Sequence, residues 1–139
     1  MISRRTGRAF AGVAALVVLV ASCGGGGGGG GGSSYKEPKG ASIATISIDA
    51  GNFYFKPDAI DAEAGINTIK LVGDGGLHTL VFDGKVPGYQ LEVVGEGDTS
   101  AKKVDLKPGV YNVYCTVDGH AAQGMVATVT VAEAPPAAA

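Results

Sequence analysis

The chain has 139 residues, of which 45 % are apolar and 17 % are charged, a length that suits one domain of ordinary size. Three of its eleven basic residues are arginines within the first eight positions, so the rest of the chain carries eight lysines against thirteen acidic residues, a formal charge of −5. A mildly acidic chain without a basic cluster lacks the electrostatic surface that nucleic acids require. The composition therefore predicts no nucleic-acid partner.

Residues 1–22 are predicted to be an export signal. Arg4, Arg5 and Arg8 form a positive start, and the apolar run that follows, residues 9–20, is shorter than the roughly 20 residues of a membrane span. Residues 20–23, Val-Ala-Ser-Cys, resemble the lipobox of bacterial lipoproteins, in which the cysteine is lipidated and becomes the new N-terminus. We expect lipidation of Cys23; an uncleaved signal anchor, or an ordinary signal peptide with an incidental cysteine, is the alternative. Both the Sec and the twin-arginine export routes stay open.

Residues 23–40 are predicted to be a tether. Nine consecutive glycines, residues 24–32, are followed by two serines, and a segment of this kind behaves as a flexible coil with a span of roughly 15–20 Å. At the other end of the chain, residues 133–139 are expected to form a frayed tail. With a lipid on Cys23, the domain between them would be held at a cell membrane on its extracytoplasmic side.

Residues 41–132 show the alternation of strands. Ala44, Ile46 and Ile48 are interleaved with polar residues, and later segments repeat this period of two. Glycine and proline mark the gaps, and the pair Pro108-Gly109 suits a type II turn. The pattern predicts an all-β domain, an antiparallel Greek-key β-sandwich of seven to eight strands.

Four side chains of this domain are candidate metal ligands. Besides Cys23 and Met1, the chain has one cysteine, one methionine and two histidines: Cys115, Met125, His78 and His120. Because side chains alternate across a strand, His78, Cys115 and Met125 fall on inward, apolar faces near predicted strand ends. His120 lies midway along the connection between Cys115 and Met125, so that one loop presents ligands from its start, middle and end.

Each of these residues alone has an ordinary structural explanation, such as core packing for a free cysteine. Together they form the donor set of a type 1 copper site, two imidazoles and a thiolate with a weak axial thioether. Structural zinc would favour more cysteine or histidine and no thioether. The predicted cofactor is one copper ion that alternates between Cu(I) and Cu(II).

The segment 114–125 resembles the ligand loop of the cupredoxins, the small blue copper proteins. Four residues separate Cys115 from His120 and four separate His120 from Met125, a spacing similar to that of rusticyanin, sulfocyanin and auracyanin. The stretch from Asn52 to His78 resembles the amino-terminal half of the same fold. Many relatives have asparagine at the position of Thr79 and proline at that of Asp118.

The resemblance implies an electron carrier rather than an enzyme. It would shuttle single electrons between redox proteins outside the cytoplasm, as a monomer, and partners would dock where the ring edge of His120 reaches the surface, near Gly119, Ala121 and Ala122. The main alternative is a copper lipoprotein of the same fold that stores or delivers metal. An adhesion module with a vestigial site is a third interpretation, and a Cys115–His120 nucleophile pair would lack an orienting group.

Overall fold

The computed structural model describes residues 34–136. Nine strands make up nearly all of its regular structure: β1 Ala44–Gly51, β2 Tyr54–Lys56, β3 Ala59–Glu63, β4 Gly65–Gly73, β5 Leu77–Phe82, β6 Gln90–Val94, β7 Thr99–Leu106, β8 Gly109–Tyr114 and β9 Val126–Ala132. The one helical element in this range is a 3₁₀ turn, Ala121–Gln123. No helix within 34–136 has the length and apolarity needed to cross a bilayer. The predicted signal, Cys23 and most of the predicted tether lie outside the described residues.

The strands form two sheets, one with the order β2-β1-β4-β7 and one with the order β3-β9-β8-β5-β6. The predicted all-β sandwich is confirmed, and two details differ from the expectation. There are nine strands because the three-residue β2 is a separate element. The sheets are mixed, since β1 pairs with β4 and β3 pairs with β9 in parallel. The chain leaves the first sheet after β2 to form β3 in the second sheet, and this crossover returns β4 parallel to β1.

Alternating apolar side chains close the space between the sheets. On β4, the side chains of Ile69 and Leu71 are fully buried while their neighbours Lys70 and Val72 are partly exposed. The same alternation on the other strands gives one continuous core of aliphatic and aromatic residues. Each fully buried side chain of this size contributes about 1.5–3 kcal/mol through removal from water, so this core stabilises the sandwich.

Three adjacent strands of the five-stranded sheet meet at one end of the sandwich. Strand β8 finishes where β9 begins, with Tyr114 opposite Val126, and Val81 of β5 lies opposite Tyr114 on the other side. We call this the ligand end and define it by its four connecting segments, residues 52–53, 74–76, 95–98 and 115–125.

The N-terminal segment runs along the opposite end. The ring of Tyr35 packs edge-on against that of Tyr89 with centroids 5.0 Å apart, and its hydroxyl donates a hydrogen bond to the carbonyl of Lys103 at 2.8 Å. A side chain added at Gly88 would come within 3.2 Å of the backbone of Tyr35. The described part of the predicted tether therefore contacts the sandwich, at the β5–β6 connection and at β7.

Candidate metal centre

Three neighbouring strands deliver three of the four predicted ligands to the ligand end. His78 is the second residue of β5, Cys115 follows the last residue of β8, and Met125 precedes the first residue of β9. The strand order β9-β8-β5 makes these positions neighbours. The amide of Cys115 donates to the carbonyl of Met125 at 3.2 Å, which extends the β8–β9 ladder into the site.

The fourth residue, His120, is held by a tight turn of the connecting loop. Its amide donates to the carbonyl of Val117 at 3.0 Å, and its own carbonyl accepts from the amides of Gln123 and Met125, both at 3.1 Å. Gly124 has φ +106°, a left-handed conformation that costs little only without a Cβ. The backbone thus folds the loop back over Cys115, with His120 at its centre.

The side chains of His78, Cys115 and His120 converge. One ligand atom from each lies within 4.8 Å of the other two. The Cys115 Sγ atom is 3.6 Å from Nδ1 of His120, and the two imidazole rings have centroids 5.2 Å apart. Among the described residues, this is the only group of three or more histidine, cysteine, aspartate or glutamate side chains with metal-binding spacing.

The hydrogen bonds of His78 leave one ring nitrogen free. Its Nε2 atom lies 2.8 Å from the carbonyl oxygen of Gly75, which can only accept, so Nε2 carries the proton and Nδ1 has the lone pair. That Nδ1 atom is buried and has no hydrogen-bond partner within residues 34–136. A buried polar atom without a partner is costly, and a metal ion bound to Nδ1 removes this cost.

Three of the four predicted ligand residues are shielded from solvent, and the fourth is not. The side chains of His78, Cys115 and Met125 are at most 1 % exposed, whereas His120 is partly exposed. Two imidazoles and one thiol suit copper, because these are soft or borderline donors, and the buried Met125, whose carbonyl accepts from the Cys115 amide, supplies a thioether in the same loop. The residues present therefore fit the predicted cofactor.

Thr79 contacts the sulfur atom of Cys115 through both its amide and its hydroxyl group. Its amide donates to Sγ of Cys115 at 3.4 Å and its hydroxyl lies 3.7 Å from the same sulfur. The hydroxyl oxygen also accepts from the amide of Thr116 at 2.7 Å. Sequence alternation placed Thr79 on the outer face of its strand, yet only 4 % of its surface is exposed. The substitution of Thr79 for the usual asparagine was the signal that marked this position.

Phe53 contacts the predicted ligand residue His120, and the sequence pattern did not indicate this contact. Its ring stands edge-on to that of His120, with centroids 5.2 Å apart and an interplanar angle of 83°. It is the only residue other than glycine with a positive φ in the described part of the chain, at +64°, and its side chain is 40 % exposed. Phe53 lies in the short connection between β1 and β2, and nothing in the sequence links that connection to His120.

A β-sandwich that gathers two histidines, one cysteine and one methionine at the end of adjacent strands defines the class of the type 1 copper proteins, or cupredoxins. Comparison with known proteins supports this assignment to the type 1 copper proteins. Residues 42–132 match the model of a family described as copper binding proteins of the plastocyanin/azurin type. The chain belongs to this family, whose cofactor is copper and whose members are electron carriers rather than enzymes.

Individual relatives support the same assignment. A plastocyanin from Dryopteris crassirhizoma is 34 % identical over 97 residues, which are 60 % of this chain and 92 % of the relative. Among solved structures, a dithionite-reduced auracyanin from Roseiflexus castenholzii superposes with a TM-score of 0.56 at 19 % identity, covering 66 % of this chain and 99 % of that one. A structure of auracyanin B gives a TM-score of 0.59 at 17 % identity, covering 69 % and 94 %. These two likenesses concern the fold.

Proposed function

We propose that this chain is a membrane-tethered blue copper protein that holds one copper ion through His78, Cys115, His120 and Met125. The observation that carries the proposal is the convergence of His78, Cys115 and His120 within 4.8 Å, together with the unpartnered Nδ1 of His78. When bound, copper alternates between Cu(I) and Cu(II) and so takes up and releases one electron.

The residues around the site would have separate roles in electron transfer. The buried core around Cys115 and Met125 excludes water and limits rearrangement of the ligands. Thr79 holds the sulfur of Cys115 by two contacts. His120 is the ligand residue that reaches the surface, so we propose that redox proteins exchange electrons at its ring edge.

The sequence before the domain suggests where the protein is located in the cell. The lipobox-like residues 20–23 and the glycine run that follows support a lipid on Cys23 and a flexible tether. We propose that the domain is held in this way at the extracytoplasmic side of a cell membrane and that it acts as a monomer.

Replacement of Cys115 by serine tests the ligand assignment. We expect the purified wild-type domain with Cu(II) to show an intense visible absorption band, and Cys115→Ser to lose it, because that band requires a thiolate bound to copper. Met125→Leu is the matched control; it removes only a weak axial donor and we expect it to stay blue. A Cys115→Ser protein with undiminished colour would exclude the assignment.

A redox titration separates a carrier from a protein that stores or delivers copper. A carrier retains its copper through repeated cycles of reduction and oxidation, and the blue band returns each time to its original intensity. Loss of copper to a chelator on reduction would favour the delivery alternative. The buried positions of three of the four ligand residues favour retention.

A further inference from the structure

A cavity lies at the end of the sandwich opposite the ligand end, where the edges of the two sheets face each other. Its volume is about 530 Å³, which is within the range of small-molecule sites. Strand β2 pairs with β1 only at residues 49–51, and within residues 34–136 strand β3 pairs only with β9. The cavity therefore lies between two open sheet edges, and the copper site uses none of the residues that line it.

The walls of this cavity are mostly apolar. Ile46 and Ala62 are partly buried and pack against the core, and Ile43, Ala44 and Ala132 line the cavity from exposed positions. Apolar surface gains free energy when it is removed from water. The walls therefore favour an occupant with a hydrocarbon body.

Asn67 brings an unsatisfied hydrogen-bond acceptor to the cavity. The residue lines the cavity beside its register partner Ala44, and its side chain is 1 % exposed. Its Nδ2 atom donates to the carbonyl oxygens of Glu63 at 2.9 Å and of Gly65 at 3.1 Å. Because carbonyl groups can only accept, these two bonds fix the orientation of the amide and direct its Oδ1 atom away from both carbonyls. That Oδ1 atom is buried without a hydrogen-bond partner within residues 34–136, so a donor that enters the cavity would remove an energetic cost.

The mouth of the cavity is negatively charged. Asp61 and Glu63 line it from exposed positions on β3, and no lysine or arginine is among its lining residues. Neither carboxylate forms an ion pair within the part of the chain that the structure describes. Since the Glu63 carbonyl accepts from Asn67, one carboxylate and the unsatisfied acceptor belong to neighbouring residues.

We propose that this cavity binds a primary alkylammonium ion. The positive charge of such an ion matches Asp61 and Glu63, and its hydrocarbon body matches the walls. An ammonium group has three N–H donors and no acceptor, which suits the Oδ1 atom of Asn67 and two carboxylates. The side chain of Ile43 is 55 % exposed and lies beside Gly65, and we expect it to shift as the ammonium group reaches the buried Oδ1 atom.

The chemistry of the site excludes other small molecules. The carboxylates at the mouth would repel an anion, and a quaternary ammonium ion has no N–H group to donate to Asn67. A primary ammonium group occurs in free amines and at the end of a lysine side chain, so the experiment has to distinguish these two sources. The proposal does not depend on copper.

An NMR titration with three related probes tests the proposal. The isotope-labelled full chain in its diamagnetic Cu(I) form is titrated with pentylammonium, with pentanoate, or with pentyltrimethylammonium, which keeps the charge but lacks N–H groups. We expect pentylammonium to bind with a dissociation constant on the order of 1 mM and to shift the signals of residues 43–46 and 61–63 and of the Asn67 side-chain amide. We expect pentyltrimethylammonium to bind about tenfold more weakly because it cannot donate to Oδ1, and pentanoate to cause no shift.

A double variant, Asp61→Asn with Glu63→Gln, tests the role of the carboxylates. Both positions are exposed, so we expect the variant to fold and to bind pentylammonium about fivefold more weakly, since two attractive charges are lost. The matched control is Asp83→Asn with Glu96→Gln, which removes the same charge from exposed positions away from the cavity. We expect this control to bind within about 1.5-fold of the wild type, because salt screens distant charges.

A second variant, Ala44→Phe, fills the cavity and leaves Asn67 and the charges in place. Ala44 is an exposed strand residue, and phenylalanine is well tolerated in strands. We expect this variant to lose the binding of pentylammonium. Val110→Phe, at an exposed position on β8 away from the cavity, is the control and is expected to bind like the wild type.

Several results would overturn the proposal. The first is an absence of shifts up to about 20 mM pentylammonium, roughly twenty times the expected dissociation constant, which would mean that water alone occupies the cavity. Shifts spread over all acidic positions, equal binding of the quaternary ion, or equal effects of the two double variants would also exclude the site.

The amide of N-acetyl-lysine distinguishes the two sources of the ammonium group. Tighter binding of this compound than of pentylammonium would identify a lysine side chain of another protein, and weaker binding would identify a free amine. The blue band of the oxidised protein is expected to stay constant during the same titrations. A protein that is not blue therefore fails the proposed function, whereas a blue protein that does not bind pentylammonium fails this proposal alone.

Discussion

Thr79 shows how one hydroxyl can serve both the fold and the site. It accepts from the amide of Thr116 at 2.7 Å, which ties the start of the ligand loop to β5, and it lies 3.7 Å from the sulfur of Cys115. A hydrogen bond to a metal-bound thiolate withdraws charge from sulfur and stabilises the reduced state of the metal.

We predict that Thr79→Val lowers the reduction potential and lowers the free energy of unfolding by about 1–3 kcal/mol, because the Thr116 amide loses its acceptor and the Thr116 hydroxyl loses a partner 2.7 Å away. Valine has the same shape without the hydroxyl. Thr79→Ser, which keeps the oxygen, is the control and is expected to retain the wild-type potential. Voltammetry and urea denaturation measure the two quantities, and a Val variant with an unchanged potential would show that the hydroxyl has no influence on the metal.

Phe53 combines an unfavourable backbone with a favourable ring contact. A positive φ costs a residue with a Cβ roughly 1–2 kcal/mol, while an edge-to-face aromatic pair contributes about 0.5–1.5 kcal/mol. Phe53→Gly loses the contact and relieves the strain, whereas Phe53→Ala loses the contact and keeps the strain.

We therefore predict that Phe53→Gly is more stable than Phe53→Ala by about 1 kcal/mol, the reverse of the order expected within a strand. Val110, exposed on β8, is the comparison position, where alanine is expected to exceed glycine. Urea denaturation of the four variants checks both orders. The opposite result at residue 53 would mean that its backbone is not held in the left-handed region.

The ligand residues could be predicted from the sequence and their supporting residues could not. His78, Cys115, His120 and Met125 are chemically distinctive, and few alternatives exist in the chain. Thr79 and Phe53 have ordinary side chains whose roles depend on distances between segments that lie far apart in sequence. Strand alternation even misplaces Thr79, because its outward side chain is covered by the ligand loop.

At the scale of elements, aromatic residues join the strands at the end opposite the site. Tyr89 lies between the rings of Tyr35 and Phe82, with centroids 5.0 and 5.1 Å away, and it donates its hydroxyl to the carbonyl of Lys102 at 3.1 Å. Burial, followed by the nearby Tyr35 and Glu37, raises the pKa of the Tyr89 hydroxyl far above its ordinary value of 10.0.

This raised pKa predicts a loss of stability in alkali. Above pH 10 the unfolded chain releases the phenolic proton and the folded chain keeps it, so the unfolded state binds fewer protons and the free energy of unfolding falls as pH rises. One such group gives a slope approaching 1.36 kcal/mol per pH unit. We expect Tyr89→Phe to show a shallower decline than the wild type between pH 10 and 11.5 in urea denaturation. Equal slopes for Tyr89→Phe and wild type would contradict the prediction.

Strand content was predictable, but strand partners were not. The alternation in β1 and β4 is visible in the sequence, since each buries one face only. Their parallel pairing arises because β2 and β3 between them lie in different sheets, and these two strands have only three and five residues. Elements this short carry too little periodicity to indicate which sheet they join.

At the scale of the whole molecule, we expect the proposed attachment to the membrane to be separable from the copper site. The predicted lipid position, Cys23, precedes the glycine run, so we expect the sandwich to fold without the lipid. We predict that Cys23→Ser moves the protein from the membrane fraction to the soluble extracytoplasmic fraction without a change in its visible spectrum. Ser22→Ala, which keeps a small residue before the cysteine, is expected to stay in the membrane fraction. Mass spectrometry shows whether residues 1–22 have been removed; membrane retention of Cys23→Ser in its cleaved form would exclude the lipid anchor.

The packing of Tyr35 at the far end of the sandwich has a practical consequence. The described chain enters the domain beside Gly88, and β9 finishes at Ala132, opposite Glu63, so both ends of the sandwich domain lie on the side away from His120. A polypeptide fused to either terminus, or a thiol linker used to fix the protein to an electrode, would leave the imidazole edge directed towards the solution. Immobilised films made through either terminus are then expected to give similar currents with soluble mediators.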